Sequence, residues 1–538
     1  SGINEMADLK GKRIAHTSPT SNSGNLAPRA LFPGLGVVPE QDYEVVYSGS
    51  HDQSMLGVVA GDYDAAPVAS EVVDRMADLK EKVLQFGTGR FLRTFVGDFI
   101  DSANRREIFN GRIVVVQSTS HDTVQLLRRQ DGLYTIWLEG LEHGRSVEKH
   151  RIISSLSRAL EADQDWARIL AVSRSEDLEL ILSNTTEVGI AFDDDDQPDA
   201  EPPRSFPGKL AAFLYERYRH FSGSPDKGLI IIPCELITDN GIRLREIVLR
   251  LARCWKLEPG FSEWIEQSNR FSNSLVDRIV TGRPGAGLIE NYWKRLGYRD
   301  ELLSVGEPYA LWAIQGDRLL RKLLALPKSR PEVIVEPDIK PYRERKIRIL
   351  NGAHTTSAAL AFLSGFDTIL QMMENSLLSA FVEALLRREI APSLDLDTAG
   401  TENFVNQVLD RFRNPFLNHR LLDITFQSTS KMRLRVLPSI LRYHEKTEQM
   451  PSRLILGFSC YLRFMRPVER KEAGFFGNRN GKAYPIHDNE APYFYELWRE
   501  AGDASGSGLR PLVTRVCREG RLWGQDLTLL PGFVEMVL

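Results

Sequence analysis

The chain has 538 residues, 42% of them hydrophobic and 26% charged. These are the proportions of an ordinary globular protein, and they exclude a largely disordered, collagen-like or coiled-coil chain. Lys and Arg number 68 and Asp and Glu 72, a formal net charge of -4. That balance argues against nucleic acid as the main partner, while allowing a local basic pocket for a small acidic substrate. The length suggests about three to four domains. The four cysteines (Cys234, Cys254, Cys460, Cys517) are scattered and form no C-x-x-C pair, so neither a disulfide framework nor a thiolate zinc cluster is expected. No apolar run is long enough for a membrane span, and the N-terminus lacks the apolar core of a secretory leader. The expected compartment is the cytoplasm.

In chain order, residues 12–18 (KRIAHTS) read as a strand entering the polar stretch 18–25, with a helical pattern from Leu26. Residues 43–50 and 62–70 are two further strand candidates. The pentapeptide MADLK occurs at 6–10 and again at 76–80 with different sequence after each copy, and is read as the mark of a junction. From Lys82 the pattern becomes that of a doubly wound fold: a strand over 82–86, a glycine turn over 87–93 and an amphipathic helix over 95–105. Apolar strands follow at 112–117, 178–186 and 229–233. The loop 191–205, with four consecutive aspartates at 193–196, reads as a solvated excursion. Beyond about residue 290 strand signals fade, and 343–365, 376–390 and 401–414 carry helical spacing. The fold class is therefore α/β with a mainly helical C-terminal domain: a small α/β segment at 1–75, a dinucleotide-binding domain at 81–330 and a helical domain at 331–538.

Three features carry chemistry. Gly87-Thr88-Gly89-Arg90-Phe91 stands between a predicted strand and a predicted helix, where glycines let the backbone turn tightly and approach a pyrophosphate at the helix start. The third glycine of the full fingerprint is replaced by Leu92. The second strand of such a fold usually ends in Asp or Glu, which binds ribose hydroxyls; here it ends in Gln117, followed by Ser118, Thr119 and Ser120, so the residues leave NAD and NADP both open. Third, at about 100° per residue Lys346 and His354 project within roughly 80° of each other, with Asn351 one turn before His354. A desolvated Lys can act as general acid/base near neutral pH, an Asn amide can stabilise a developing alkoxide, and a His can orient a hydroxyl. Ten His are present but no H-x-x-x-H pair, so no zinc site is expected.

GTGRFLR (87–93), SNTTEVGI (183–190), PCELITDNG (233–241), NSLVDRIV (273–280) and RERKIRILNGAHT (343–355) together resemble the mannitol dehydrogenase family of polyol-specific long-chain dehydrogenases. Within it, their wording is similar to the branch that interconverts D-tagaturonate and D-altronate. The resemblance implies an NAD-linked, metal-independent sugar-acid oxidoreductase, with fructuronate reduction or a mannitol-type reaction as alternatives. It also implies Lys346 as general acid/base, Asn351 and His354 as the polarising and orienting pair, Asn184 and the glycine turn at the cofactor, and Asp277 beside nicotinamide and substrate. Mannitol-type members carry an Asn where Leu236 stands here; Asn184 or Asn240 is the candidate replacement donor. For the substrate carboxylate the candidates are Arg413, His419, Lys431 and Arg435. Residues 1–75 resemble part of a phosphonate-type periplasmic binding protein, whose oxyanion cradle would be Ser18, Thr20, Ser21 and Ser23 with Ser50 and His51. An inert appendage or a folding aid is the expected role of that segment, and a catalytically inactive phosphonate- or phosphate-binding fusion is the remaining alternative. Oligomeric state is left open.

Overall fold

The structure, a computed structural model, describes residues 3–49, 51–68, 79–118, 122–185, 189–502 and 504–538. Ser50, Thr119, Ser120, residues 186–188 of the SNTTEVGI stretch and the first three residues of the second MADLK lie outside them. The chain divides into two compact units, residues 1–139 with 148–339, and residues 140–147 with 340–538.

The first unit opens with β1 (Arg13–His16) and β2 (Glu44–Tyr47), a parallel pair over a small core of Leu9, Ile14, Val37 and Tyr43. Of the third expected strand, at 62–70, the described residues 62–68 hold only an isolated bridge from Ala65 to Ile14. This segment does not stand apart. Helix His51–Ala60 buries Leu56 in a cluster with Trp137, Ile152, Ile289, Tyr298 and Leu303. Tyr63 Oη donates to the Gly297 carbonyl at 2.9 Å, and the Arg299 N–H donates to Asp62 at 2.7 Å.

The apolar runs then form the sheet that the period predicts. β3 (Lys80–Phe86) and β4 (Gly111–Gln117) are followed by the hairpin β5 (Tyr134–Glu142) and β6 (Arg145–Ile153), and then by β7 (Leu156–Glu161), β8 (Leu180–Ser183), β9 (Ile230–Pro233) and β10 (Arg270–Phe271). The main sheet runs β10-β9-β8-β3-β4-β7, every pairing parallel. This is the doubly wound order 3-2-1-4-5-6. Alternation along β3 and β4 splits the core. Val83, Ile113 and Val115 meet Phe95 and Phe99 on one face, while Leu84, Phe86, Val114 and Val116 meet Phe206, Leu210 and Phe213 on the other. Both faces are covered by helices, as an all-parallel sheet requires.

Strands do not fade where the sequence suggests. β11 (Ser274–Asp277), β12 (Val280–Gly282), β13 (Ser304–Gly306), β14 (Leu311–Gln315) and β15 (Val333–Glu336) build two further sheets, β11-β14-β15 and β12-β13-β5-β6. At three to five residues each, they are too short to show a period.

The second unit is mainly helical, with one antiparallel sheet of β16 (Glu469–Lys471), β17 (Gly474–Arg479) and β18 (Lys482–Ile486). The β17–β18 turn uses Asn480 and Gly481, at φ 52° and 83°, the Asn-Gly signature of a tight hairpin. Its central helix runs from Lys340–Arg345 through a π-helical stretch, Lys346–Gly352, into Ala353–Leu363. Helix Ser452–Phe464 crosses it closely: a Cβ on Gly457 would lie 2.7 Å from the Thr356 carbonyl oxygen. Among the described residues no helix is long and apolar enough to cross a membrane.

Candidate active site

In the first unit, the C-terminal ends of β3, β4 and β8 open onto a cleft of about 750 Å³. Its floor is the glycine turn. Gly87 has φ +119°, and a Cβ there would sit 2.9 Å from the Asn184 carbonyl oxygen, so only glycine fits. At Gly89 an added Cβ would meet nothing within 4 Å; the backbone there faces open space that a phosphate can approach. The turn is braced by side chains. Gln85 Nε2 donates to the Gly87 carbonyl at 2.8 Å, Arg93 to the Thr88 carbonyl at 2.8 Å, and Thr88 Oγ1 to Gln117 Oε1 at 3.0 Å. The helix that follows begins at Arg90. A glycine-lined floor, a helix start and an open crevice at the strand ends fit a dinucleotide pyrophosphate.

Asn184 lines the cleft, its amide donating to the Cys234 carbonyl at 2.7 Å. Next to it, the buried Glu235 carboxylate accepts from Ser183 Oγ and from the Thr185 N–H and hydroxyl, and burial raises its pKa. Asn240, the other candidate donor, is spent on the Pro233, Glu235 and Ser274 carbonyls. Its amide locks the strand ends together, which leaves Asn184 on the cleft. Arg90 lines the cleft, whereas Phe91 stacks on Phe95 at 4.9 Å and packs with the core. Asp277 ends β11, in a separate sheet, and is not among the residues lining the cleft.

The far wall was not legible as such. The aspartate loop is solvated over much of its length but anchored at one residue: Asp196 is 4% exposed and accepts from the Ser205 N–H at 2.9 Å and from its hydroxyl. Ser205 in turn caps helix Phe206–His220. Ala191, Phe192, Asp193, Arg204 and Lys209 thereby join the lining.

In the second unit, the π-helical stretch begins at Lys346 and contains Asn351. On an α-helix five residues amount to about 500°, leaving the two side chains about 140° apart. In a π turn the hydrogen bond itself closes over five residues, so Lys346 and Asn351 come round toward one face. His354 follows on the first α turn, buried, its ring stacked on Phe412 at 4.2 Å and edge-on to His419 at 4.9 Å. Burial, then the charges of His419, Arg411, Arg435 and Lys431, hold its pKa well below the ordinary value. Lys431 donates to the Ile424 carbonyl at 2.8 Å, and its pKa is pushed down to about 8 by burial and by Arg435. Of the candidates for the carboxylate, His419 meets the His354 ring, and the charges of Lys431 and Arg435 are felt there. Arg413 turns to Glu383 and Ser379; besides that of Arg435, the arginine charge felt at His354 is that of the buried Arg411, two residues before Arg413.

A family model described as the mannitol dehydrogenase Rossmann domain matches residues 81–328, and one described as the mannitol dehydrogenase C-terminal domain matches residues 338–538. The chain belongs to the mannitol dehydrogenase family. Relatives include the altronate oxidoreductase of Bacillus subtilis (strain 168), 40% identical over 87% of this chain and 93% of the relative, and that of Shigella flexneri, 40% identical over 86% and 94%. A substrate-free D-sorbitol dehydrogenase superposes with a TM-score of 0.67 at 22% identity, covering 86% of this chain and 96% of that one. Pseudomonas fluorescens mannitol 2-dehydrogenase, in a ternary complex with NAD and D-mannitol, gives 0.61 at 22%, covering 86% and 91%. Both show that the mannitol dehydrogenase fold is shared. A model described as the phosphonate periplasmic substrate-binding protein of ABC transporters matches residues 1–120. In that segment Ser23 Oγ and His51 Nε2 bond each other at 2.8 Å, and Ser21 Oγ accepts from the Gly24 N–H.

Proposed function

We propose that this chain is an NAD-dependent oxidoreductase of the cytoplasm that interconverts D-tagaturonate and D-altronate. Relatives named altronate oxidoreductase align with it along nearly its whole family region. The observation that carries a sugar acid over a neutral polyol is the name those relatives share at 40% and 41% identity; the charges of Arg411, Lys431 and Arg435, felt at His354, agree with it. A sugar alcohol has no carboxylate to engage them; an aldonate or hexuronate has one.

NAD, when bound, gives or takes the hydride at the reacting carbon. The glycine turn and helix start at 87–90 hold its pyrophosphate, and Asn184 and Gln117 flank it. In the reducing direction Lys346 supplies the proton to the substrate oxygen, and the Asn351 amide donates a hydrogen bond as negative charge grows there. His354, kept neutral, holds a neighbouring hydroxyl through whichever ring nitrogen carries the proton. Lys431, His419 and Arg435 hold the carboxylate. With Arg413 bound to Glu383, Arg411 takes the place assigned to it from the sequence. Asp277 keeps the place beside nicotinamide and substrate that the resemblance implies.

The test is NADH consumption with D-tagaturonate by the wild type and by Lys346→Ala. Turnover that falls by about 10²–10⁴ in the variant supports the reading, since that is the usual contribution of a general acid/base. Turnover of D-fructuronate or D-fructose in place of D-tagaturonate keeps the family and changes the substrate.

A further inference from the structure

The aspartate run 193–196 has no part in the chemistry proposed above, yet its members are held in different ways. Asp196 is the buried anchor at Ser205, and its carbonyl accepts from Trp255 Nε1 at 2.9 Å. Asp195 pairs with Arg204 at 2.9 Å, and Asp194, largely in solvent, stands 3.8 Å from Arg250. Asp193 alone of the four lines the cleft, 3.5 Å from Arg204 and accepting from the Asp195 N–H at 3.0 Å.

The position of this wall follows from its neighbours. The Phe206 ring lies 5.2 Å from Phe86, at the end of β3. Lys209, whose Nζ donates to the Arg204 carbonyl at 2.8 Å, feels the charge of Asp163, just beyond β7. The wall is held on its other side by Arg250, over the Phe192 ring, and by Trp255, both beyond β9. Through Phe206 and Lys209 it reaches the β3–β4–β7 half of the sheet, the half that receives the adenosine in a doubly wound fold. At the end of β4, where such a fold usually places a carboxylate, stands Gln117, its Oε1 accepting from Thr88. Among the described residues lining the cleft, Asp193 is the sole carboxylate, against Arg90, Arg93, Arg204 and Lys209.

We propose that Asp193 sets the cofactor choice: the folded loop brings its charge to the adenosine end, where it excludes the 2′-phosphate of NADP and so selects NAD. It does from the β8 side what the residue at the end of β4 usually does. Without that charge, Arg204 and Lys209 would meet a 2′-phosphate unopposed. The inference rests on the dinucleotide reading of the cleft, and the experiment separates the two.

NADH and NADPH are titrated onto the wild type, Asp193→Asn and Asp194→Asn, with tryptophan fluorescence as the readout. The wild type should prefer NADH. Asp193→Asn should narrow that preference by about tenfold, the effect of one charge a few ångströms from a phosphate in a partly solvated cleft, while Asp194→Asn should leave it in place. A ratio unchanged in Asp193→Asn overturns the inference, as does equal narrowing in Asp194→Asn, or equal affinity of the wild type for both nucleotides. A wild type that binds neither overturns the dinucleotide reading itself, and this inference with it.

Discussion

Lys431 offers the sharpest residue-scale prediction. Burial and the neighbouring Arg435 push its ammonium down to about 8, so it is charged below that pH and neutral above. If it holds the substrate carboxylate, kcat/KM for D-tagaturonate should fall as pH rises through about 8, and Lys431→Arg should remove that break by keeping a cation throughout. A wild-type profile flat across that range would contradict the assignment. The linkage runs the same way for stability: a lowered amine pKa penalises the folded state most below about 8, and the penalty is relieved between there and the ordinary value of 10.5. His354 is already neutral across the working range, so no break near its ordinary pKa should appear, and His354→Asn should lower kcat at every pH. Gly87→Ala should abolish nucleotide binding, because the new methyl would press on the Asn184 carbonyl; the readout is loss of the fluorescence change with NADH. The trio Lys346, Asn351 and His354 is a reading from residue types that suit the chemistry, and the structure sets all three on one continuous helix. Arg411 was not singled out from the sequence: two arginines either side of one phenylalanine look alike until the helix direction buries the first.

Of the elements, the parallel strands were the most legible, since β3, β4, β8 and β9 are short apolar runs with turn residues after them. The π-helical stretch was not, because a reading at about 100° per residue presumes α winding. Its wider turn carries Lys346 and Asn351 round toward one face, which the proposed roles of the two residues require. The aspartate loop also escaped composition, which treats four consecutive acids as solvated. One of them instead caps a capping residue. Ser205→Ala should cost about 1 kcal/mol as a lost N-cap, and more where it strips the buried Asp196 of a donor; thermal unfolding measures it. At the crossing of helices Ala353–Leu363 and Ser452–Phe464, Gly457→Ala would place a methyl 2.3 Å from Thr356 Cγ2. Overpacking there should cost about 1–3 kcal/mol and reduce activity with stability, since the same helix carries His354.

At the scale of the molecule, the N-terminal segment is the feature that sequence reasoning set aside and the structure reinstates. Its Leu56 is fully buried among side chains from β5, β6 and residues 289–305. Leu56→Ala should cost about 2–5 kcal/mol, and a midpoint of thermal unfolding equal to that of the wild type would show the contact to be idle. The segment was hard to place because its own strands and turns read as a self-contained fragment, while its partners come far later in the chain: 234 residues separate Tyr63 from the Gly297 carbonyl that it meets. That distance has a consequence in the cell. During translation the segment leaves the ribosome well before residues 289–305 do, and at about 5–20 residues per second its apolar face waits on the order of tens of seconds for its cover to be synthesised. A nascent chain with such a delay is a natural client for chaperones, and its yield should depend on them more than its final stability does.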